Sequence, residues 1–343
     1  MGGDTRHFAT LAEDLKRAAG FHLTLINTSR GDNHGSPLHN FWVAVRTMLD
    51  VGAGLARADV LSFHASDRGM VMFGPLIRCM SRVAGVPTVF RIFGGSFGDF
   101  YEQRGAFTRW VIRKFILSSD VVLLQTQRLI RQLQPAARGA LVWFSTYIRQ
   151  VSRPEGLAAP LSSAGSARCT RFVFLGHLWR TKGVEVLLEA ASRFPPDCTV
   201  DLYGPLDEYT PEQIEARGQG RVRYRGFLSH AEVESKLWNY DCLILPTFHP
   251  GEGYPGVIAE AFAHGLPVIT THWLAIPEMV DEHSALLIEP GDAQALAHAM
   301  AALHGDPDRW RGLQAGALSR AAQFDHAVWA KKFEEICRER VRN

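Results

Sequence analysis

Long apolar runs and a disulfide framework are both missing from this sequence of 343 residues. No apolar run approaches the roughly 18 residues that a membrane-spanning helix needs. A charged leader with an apolar centre, typical of secreted proteins, is not visible at the start. The five cysteines are odd in number and scattered, which is typical of buried thiols in a reducing compartment. We therefore expect a cytoplasmic protein without disulfides.

Metal-binding patterns are also scarce. No histidine pair is accompanied by a cysteine pair at the spacing of zinc ligands, and no His-Glu-x-x-His string is present. Asp306-Pro307-Asp308 has the outline of an Asp-x-Asp metal motif, but Asp306 is better placed as the cap of a helix that begins at Pro307. We therefore expect no metal, no zinc site and no cofactor.

Charge is nearly balanced overall, at +2, but unevenly distributed. Residues 1–150 hold 18 Lys and Arg against 10 Asp and Glu, and the remainder holds 19 against 25. The basic half favours an anionic membrane surface or an anionic acceptor, although solvated arginines explain it equally well. The basic, aromatic segment Arg109–Phe115 is either a helix at a membrane interface or an ordinary outer helix of the sheet. We expect no nucleic-acid partner.

Helical and strand-like segments alternate along residues 1–150 and again along 171–325. Such alternation predicts parallel sheets with helices on both faces. Residues 151–170, rich in proline, glycine and serine, are predicted to form the linker between two domains. The last helix, residues 326–343, carries Trp329, Phe333 and Ile336 on one side.

The first domain is unusual at its start. Doubly wound domains of this kind open with a strand whose following loop holds the glycines. Here Gly2-Gly3 leads at once into a helix, and the next strand is predicted only at Phe21–Asn27. We therefore expect that the first strand lies upstream or is missing.

One stretch, Gly251–Thr271, organises the second domain. The apolar run Cys242–Pro246 predicts a buried strand that ends in a glycine-rich loop, and Pro255 is a suitable first helical residue. A helix start in this position attracts phosphate. Glu252 and Glu260 flank the turn, and an ionised carboxylate accepts two hydroxyl hydrogen bonds, as a sugar or ribose diol offers.

The glutamates Glu252 and Glu260, seven residues between them, lie in the string GEGYPGVIAEAFAHGLPVI. This string resembles the donor-site motif of retaining GT-B glycosyltransferases of the family-four, or group 1, type. The resemblance implies that Glu252 lies at the donor sugar and that Glu260 holds the ribose. It also implies that the turn contacts the donor through the backbone of Gly253, Tyr254, Pro255, Gly256 and Val257.

A second string, FLGHLWRTKG, resembles the strand–Gly–Arg–loop–Lys–Gly motif of the same family. Lys182 matches the family lysine that grips the donor diphosphate. His177 stands where the family has arginine, and either His177 or Arg180 fills that role. The resemblance further implies backbone contacts to the donor from Gly176 and from Gly3, which belongs to the first glycine loop.

The acceptor side is less clearly marked. Ser96 and Asp99 follow the strand that ends at Phe93, and the resemblance implies that they face the acceptor. Phe93 stands where many family members carry a histidine, and His64 is either a substitute for it or a structural residue. The segment around Phe227 resembles the one that reads the nucleotide base, although Phe227 also suits a core position.

These observations predict an α/β protein of GT-B fold, with two Rossmann-like doubly wound domains facing a cleft. The resemblance implies a metal-independent, retaining transferase that moves a sugar from a UDP- or GDP-sugar to a glycan or lipid-linked glycan, in bacterial polysaccharide assembly. It also implies an acceptor-side first domain, a donor-binding second domain and a possible peripheral position on the inner face of the membrane. A nucleotide-sugar epimerase of the same fold and a catalytically silent sugar-nucleotide-binding subunit remain open alternatives.

Overall fold

The chain divides into two compact units. The computed structural model describes residues 3–18, 20–26, 37–152 and 168–341. The first unit comprises Met1–Ser145 and Ala327–Asn343, and the second comprises Thr146–His326. Among the described residues, no helix is both long enough and apolar enough to cross a membrane. Most of the predicted linker lies outside the described residues.

The first unit is built on a parallel sheet of four strands, in the order β1-β2-β3-β4. Its central strand β2 is buried along its whole length, so both faces are covered. The strands are β1 Leu61–Ser66, β2 Thr88–Phe93, β3 Val121–Leu124 and β4 Ala140–Trp143, and the helices are α1 Gly3–Arg17, α2 Pro37–Leu55, α3 Asp67–Ala84, α4 Phe97–Glu102, α5 Ala106–Val111, α6 Gln127–Leu133 and α14 His326–Val341, most of which lies in this unit.

The core of this unit lies between the sheet and helix α3. Phe90 and Ile92 of β2 pack with Met70 and Ile77 of α3, and all four side chains are buried. A π-helical turn, Ile112–Ile116, follows α5 and adds two more buried isoleucines to the cluster. The helices therefore bury their apolar faces against a sheet that is itself apolar on that side.

The strand predicted at Phe21–Asn27 does not form in residues 21–26, and Asn27 lies outside the described residues. A groove of about 680 Å³ is lined by residues 20–26, by Leu61 and Phe63 of β1 and by side chains of α1 and α2. A strand needs a hydrogen-bonded neighbour, and the alternating pattern specifies only its face. Gly3 is the first residue of α1, and Gly2 lies outside the described residues.

Helix α14 packs on the end of the first sheet. The ring of Trp329 lies 5.0 Å from that of Trp143 and 5.3 Å from that of Phe144, both edge-on. The ring centres of Phe333 and Phe144 are 6.0 Å apart. Trp329, Phe333 and Ile336 are buried, which confirms the predicted apolar side of this helix.

His64, the candidate substitute for the family histidine, lies in an aromatic cluster. The centre of its ring lies 5.0 Å from that of Phe8, 5.8 Å from that of Phe333 and 6.1 Å from that of Phe93. Burial, and then the nearby charge of Arg91, lower the pKa of His64 well below its usual value. A histidine held neutral among aromatic rings favours the structural interpretation.

The second unit contains a parallel sheet of six strands in the order β10-β9-β8-β5-β6-β7. The chain leaves β5 towards β6 and β7 on one side, then returns to place β8 on the other. The elements are β5 Arg171–Leu175, α7 Val184–Ala190, β6 Thr199–Tyr203, α8 Pro211–Gly218, β7 Val222–Tyr224, α9 His230–Leu237, β8 Cys242–Leu245, α10 Gly256–Ala263, β9 Val268–Thr271, α11 Ile276–Met279, β10 Ala285–Ile288, α12 Ala293–Gly305 and α13 Pro307–Ala321.

Helix starts in this unit follow their capping residues. Ser229 caps α9 in a capping box with Glu232, and Asp306 caps α13 by accepting the Arg309 N–H at 2.9 Å. The cap at Asp306 was predicted from the sequence and is confirmed. Helix α10 starts one residue later than predicted, because Pro255 is its cap and not its first helical residue.

The neutral state of His64 predicts a pH-dependent stability. Below pH about 6.5 the unfolded chain binds a proton at this histidine and the folded chain does not, so protonation favours unfolding. We expect stability to fall by about 1 kcal/mol per pH unit below that value, with part of the slope removed in His64→Gln. Urea unfolding at several pH values measures this. The exposed His22 is the control, and an equal effect of His22→Gln would contradict the assignment.

Candidate functional site

Two loops meet where the strand order of the second sheet reverses. One loop follows β5 and the other follows β8, and these two strands are neighbours. A crevice outside the carboxyl ends of the strands forms at such a point and is where open α/β sheets bind ligands. The loops are joined directly, because the Phe248 N–H donates to the Thr181 carbonyl at 2.8 Å.

A buried ion pair joins the two loops. The Lys182 ammonium Nζ lies 2.7 Å from Oε2 and 3.0 Å from Oε1 of Glu252. The two side chains are only 17% and 7% exposed. The Thr247 hydroxyl donates to Glu252 Oε2 at 2.8 Å. The fold therefore brings together Lys182 and Glu252, each of which belongs to one of the two sequence motifs.

Glycine allows the loops to approach this closely. Gly183, directly after Lys182, has φ +88°, and a Cβ there would lie 2.2 Å from the Pro246 carbonyl oxygen. On the other side, a Cβ on Gly204 would lie 1.8 Å from the Gly176 carbonyl oxygen. A side chain at position 183 would push apart the two loops that the ion pair joins, and one at position 204 would separate the loop after β6 from the loop after β5.

The end of strand β9 and the residues after it fix the loop after β8. The Thr271 hydroxyl donates to the Thr247 carbonyl at 2.5 Å, and the Trp273 indole N–H donates to the His249 carbonyl at 2.8 Å. The Glu252 N–H also donates to the His249 carbonyl, at 3.1 Å. These bonds fix the backbone of the loop that carries Glu252.

His249 borders the ion pair and was missed at the sequence level. Its Nδ1 lies 3.1 Å from the Thr181 hydroxyl, and its ring centre lies 5.1 Å from that of Trp179. Burial, followed by the charge of Lys182, lowers the pKa of His249, which favours the neutral imidazole. Its place three residues before Glu252 was the one available signal.

His177 and Arg180, the two candidates for the missing arginine, lie in different surroundings. His177 stacks on Trp179 at 4.5 Å, and its Nδ1 lies 2.8 Å from Asp207 Oδ2. Arg180 is exposed, and its charge is one of several, after those of Arg217, that lower the pKa of Glu185. The stack of His177 on Trp179 leads towards His249 and the ion pair, whereas Arg180 lies near Glu185.

Glu260 lies in α10 with its side chain 17% exposed, and its Oε1 is 3.8 Å from Nδ1 of His230. His230 opens α9, directly after the segment that resembles the base-reading segment. Phe227 in that segment is 70% exposed, so the alternative that it belongs to the core is wrong. The structure therefore brings Glu260 close to this segment.

The remaining donor-side candidates form the turn into α10. Gly253, Tyr254 and Pro255 are buried, and Gly256 and Val257 are partly exposed at the helix start. The Tyr254 hydroxyl donates to Glu278 Oε2 of α11 at 2.8 Å. The side chain of Tyr254 is thus used to hold the turn in place.

The acceptor-side candidates lie in the first unit and make contacts within it. The Ser96 hydroxyl donates to Asp67 Oδ2 at 2.5 Å. Asp99 accepts from Arg128 Nη2 at 2.9 Å and from Gln132 Nε2 at 3.0 Å. Their predicted role towards an acceptor stays a prediction.

Solved structures with the same architecture define the class of fold. Sucrose-phosphate synthase from Thermosynechococcus elongatus is similar with a TM-score of 0.72 and 19% identity, over 98% of this chain and 93% of that one. Anabaena HepE in complex with UDP is similar with a TM-score of 0.70 and 20% identity, over 86% and 82% of the two chains. The predicted GT-B fold, with two parallel-sheet α/β domains, is confirmed.

Sequence comparison supports a family within this class. Residues 169–306 match the family described as Glycosyl transferases group 1, and this range contains Lys182, Glu252 and Glu260. The amylovoran biosynthesis glycosyltransferase AmsK of Erwinia amylovora is 28% identical over 178 residues. That match spans 48% of this chain and 44% of AmsK, so less than half of the relative.

The ion pair predicts coupled effects on stability. Lys182→Met or Glu252→Gln alone leaves an uncompensated buried group, so each is expected to cost about 3–5 kcal/mol. The double variant removes both charges and is expected to be clearly more stable than the sum of the single effects implies. Urea unfolding of the four proteins measures the coupling. Strictly additive effects would show that the pair does not interact, and Glu282→Gln, at an exposed site, is the control.

Proposed function

We propose that the chain is a glycosyltransferase that transfers a sugar from a nucleotide-diphosphate donor to a hydroxyl of a glycan or lipid-linked glycan, in bacterial polysaccharide assembly. The observation that carries this proposal is the Lys182–Glu252 pair at the switch point, with Glu260 in the adjoining helix. AmsK, named for amylovoran biosynthesis, supports the proposed pathway class.

Lys182 is proposed to bind the donor diphosphate. A phosphate oxygen that approaches the ammonium group competes with Glu252 for it, because both are anionic acceptors. The carboxylate of Glu252 then becomes available to the hydroxyls of the sugar. Lys182 also stabilises the negative charge that grows on the leaving diphosphate, and Glu252 stabilises positive charge at the anomeric carbon.

Glu260 is proposed to accept hydrogen bonds from the two ribose hydroxyls. The exposed Phe227 is on the segment proposed to contact the base, and His230, the neighbour of Glu260, follows that segment. The structure of HepE contains UDP, so a uridine nucleotide is the first donor to test, before a guanosine nucleotide. Binding measurements with different nucleotide sugars will assign the base and the sugar.

Further cations are proposed to complete the diphosphate site without a metal. Arg180 through its positive charge, or His177 through a ring N–H, provides the second contact to the diphosphate. The departing phosphate takes the proton of the acceptor hydroxyl on the same face of the sugar, so the anomeric configuration is retained. We also propose a cytoplasmic location, in line with the free cysteines, four of which are buried.

Binding of nucleotide fragments tests the donor site. Lys182→Met is expected to weaken UDP at least tenfold and to leave uridine unchanged, because only UDP carries the diphosphate. Glu260→Ala is expected to weaken both, because both contain ribose. Calorimetric titration measures the affinities, with the exposed Glu215→Ala as control. Equal losses of UDP and uridine affinity in Lys182→Met would refute the phosphate contact.

The two alternative functions differ from transfer in their products. An epimerase converts the nucleotide sugar without an acceptor, and a silent subunit binds it without turnover. A glycosyltransferase releases nucleoside diphosphate at a rate that rises with a suitable acceptor, and Glu252→Gln lowers that rate far more than donor binding. Chromatography of donor and products, with and without acceptor, separates the three outcomes.

A basic and aromatic surface of the first unit is proposed to contact an anionic membrane. Phe107 is 77% and Trp110 is 45% exposed, and Arg109, Arg113 and Lys114 are exposed on the same segment. The Lys114 ammonium lies 4.8 Å from the Trp110 ring centre. Aromatic rings insert at the interface while cations bind lipid phosphates.

Vesicle binding tests this surface. The protein is expected to sediment with phosphatidylglycerol vesicles and several-fold less with phosphatidylcholine vesicles, because each basic residue contributes about 1 kcal/mol only at an anionic surface. Phe107→Ser with Trp110→Ser should release it. Val83→Ser, at an apolar residue that is 91% exposed on α3, is the control. Equal binding to both kinds of vesicle would contradict the proposal.

A further inference from the structure

Three potential metal ligands converge at the end of the second sheet opposite the donor site. Asp197 and Cys198 lie in the turn before β6, and His304 lies in the last turn of α12. One ligand atom from each lies within 4.8 Å of the other two. The strand β6 starts next to this cluster and carries its carboxyl end towards the donor site, so the two sites lie at opposite ends of the strands.

The cluster has a fixed scaffold. Cys198 is fully buried, and its N–H donates to the Pro195 carbonyl at 3.0 Å. The next N–H, of Thr199, donates to the Thr170 carbonyl at 2.9 Å, which ties this turn to the start of β5. The His304 side chain is 13% exposed and that of Asp197 is 56% exposed. Cys198 is therefore buried, His304 is partly buried, and Asp197 is accessible to solvent.

The orientation of His304 is set by a backbone carbonyl. Its Nδ1 lies 3.3 Å from the Cys169 carbonyl oxygen, which only accepts hydrogen bonds, so Nδ1 carries a proton. In the neutral ring Nε2 then holds the lone pair. A carbonyl that fixes one ring nitrogen while the other nitrogen is free to ligate is the usual arrangement of metal-binding histidines.

The second ring nitrogen of His304, Nε2, faces a carboxylate. Nε2 lies 3.3 Å from Asp197 Oδ1. Two acceptors at this distance need a cation between them, either a proton on the imidazole or a metal ion. A tetrahedral zinc ion with N and O ligands at about 2.0–2.1 Å separates them by about 3.4 Å, close to the distance observed.

We propose that Asp197, Cys198 and His304 bind one zinc ion, with water as the fourth ligand. A mixed set of sulfur, nitrogen and carboxylate ligands suits zinc better than magnesium or calcium. Binding releases the Cys198 thiol proton to solvent, and the thiolate moves towards the metal. The ion joins the turn before β6 to the end of α12 and so stabilises the second unit, without a part in sugar transfer. This departs from the expectation, based on histidine spacing, that the chain has no zinc site.

Metal binding to the purified full chain tests the proposal. We expect one equivalent of zinc to compete with a chromogenic chelator and to raise the unfolding temperature. Cobalt in its place should give a thiolate charge-transfer absorption in the near ultraviolet. His304→Gln and Asp197→Asn are expected to weaken zinc binding at least tenfold, and Cys198→Ser should remove the cobalt band.

Matched controls use residues of the same type outside the cluster. Cys79→Ser replaces an exposed thiol, and His298→Gln replaces an exposed histidine on the same helix α12. Both should leave binding unchanged. Because serine at the buried Cys198 risks misfolding, the accessible Asp197→Asn keeps the test valid. Failure to bind zinc at micromolar concentration, unchanged affinity in Asp197→Asn and His304→Gln, or equal losses in the controls would each overturn the proposal.

Discussion

The ion pair between Lys182 and Glu252 is the interaction on which the candidate site depends. A charge taken out of water is costly unless a partner of opposite sign and hydrogen bonds replace the water. Here the partner lies 2.7 Å away and the Thr247 hydroxyl provides a further bond. Because the two charges come from loops after neighbouring strands, the pair also fixes the two loops relative to each other. The close approach of these loops in turn requires glycine at position 183.

This pair gives the proposed transferase a simple way to couple donor binding to catalysis. Without a ligand, the lysine and the glutamate neutralise each other. A diphosphate competes for the lysine and thereby releases the carboxylate to the sugar, so both groups enter their roles together. The loop that carries Glu252 is held by hydrogen bonds from Thr271 and Trp273, and therefore need not be ordered by the donor.

The two ends of the second sheet differ in the chemistry that they offer. At the carboxyl ends, helix starts and cations face the crevice, which suits an anionic ligand. At the amino end, Asp197, Cys198 and His304 offer lone pairs, which suits a cation. Both sites combine residues from segments that are distant in sequence, and both join neighbouring parts of the same sheet. The first unit provides a different feature, an aromatic core around His64 that helix α14 completes.

Sequence by itself determined the features that depend on neighbouring residues. Periodicity predicted the alternation of strands and helices, short-range capping predicted the helix start at Asp306, and the two motifs predicted a donor site around Lys182 and Glu252. Tertiary structure decided which of these residues meet. It left residues 21–26 outside the sheet, left Phe227 exposed to solvent and placed Arg180 near Glu185. It also placed His249 beside the ion pair, and it brought Asp197, Cys198 and His304 together at the opposite end of the sheet. These outcomes depend on strand order and loop packing, and no local spacing in a sequence encodes contacts between distant segments.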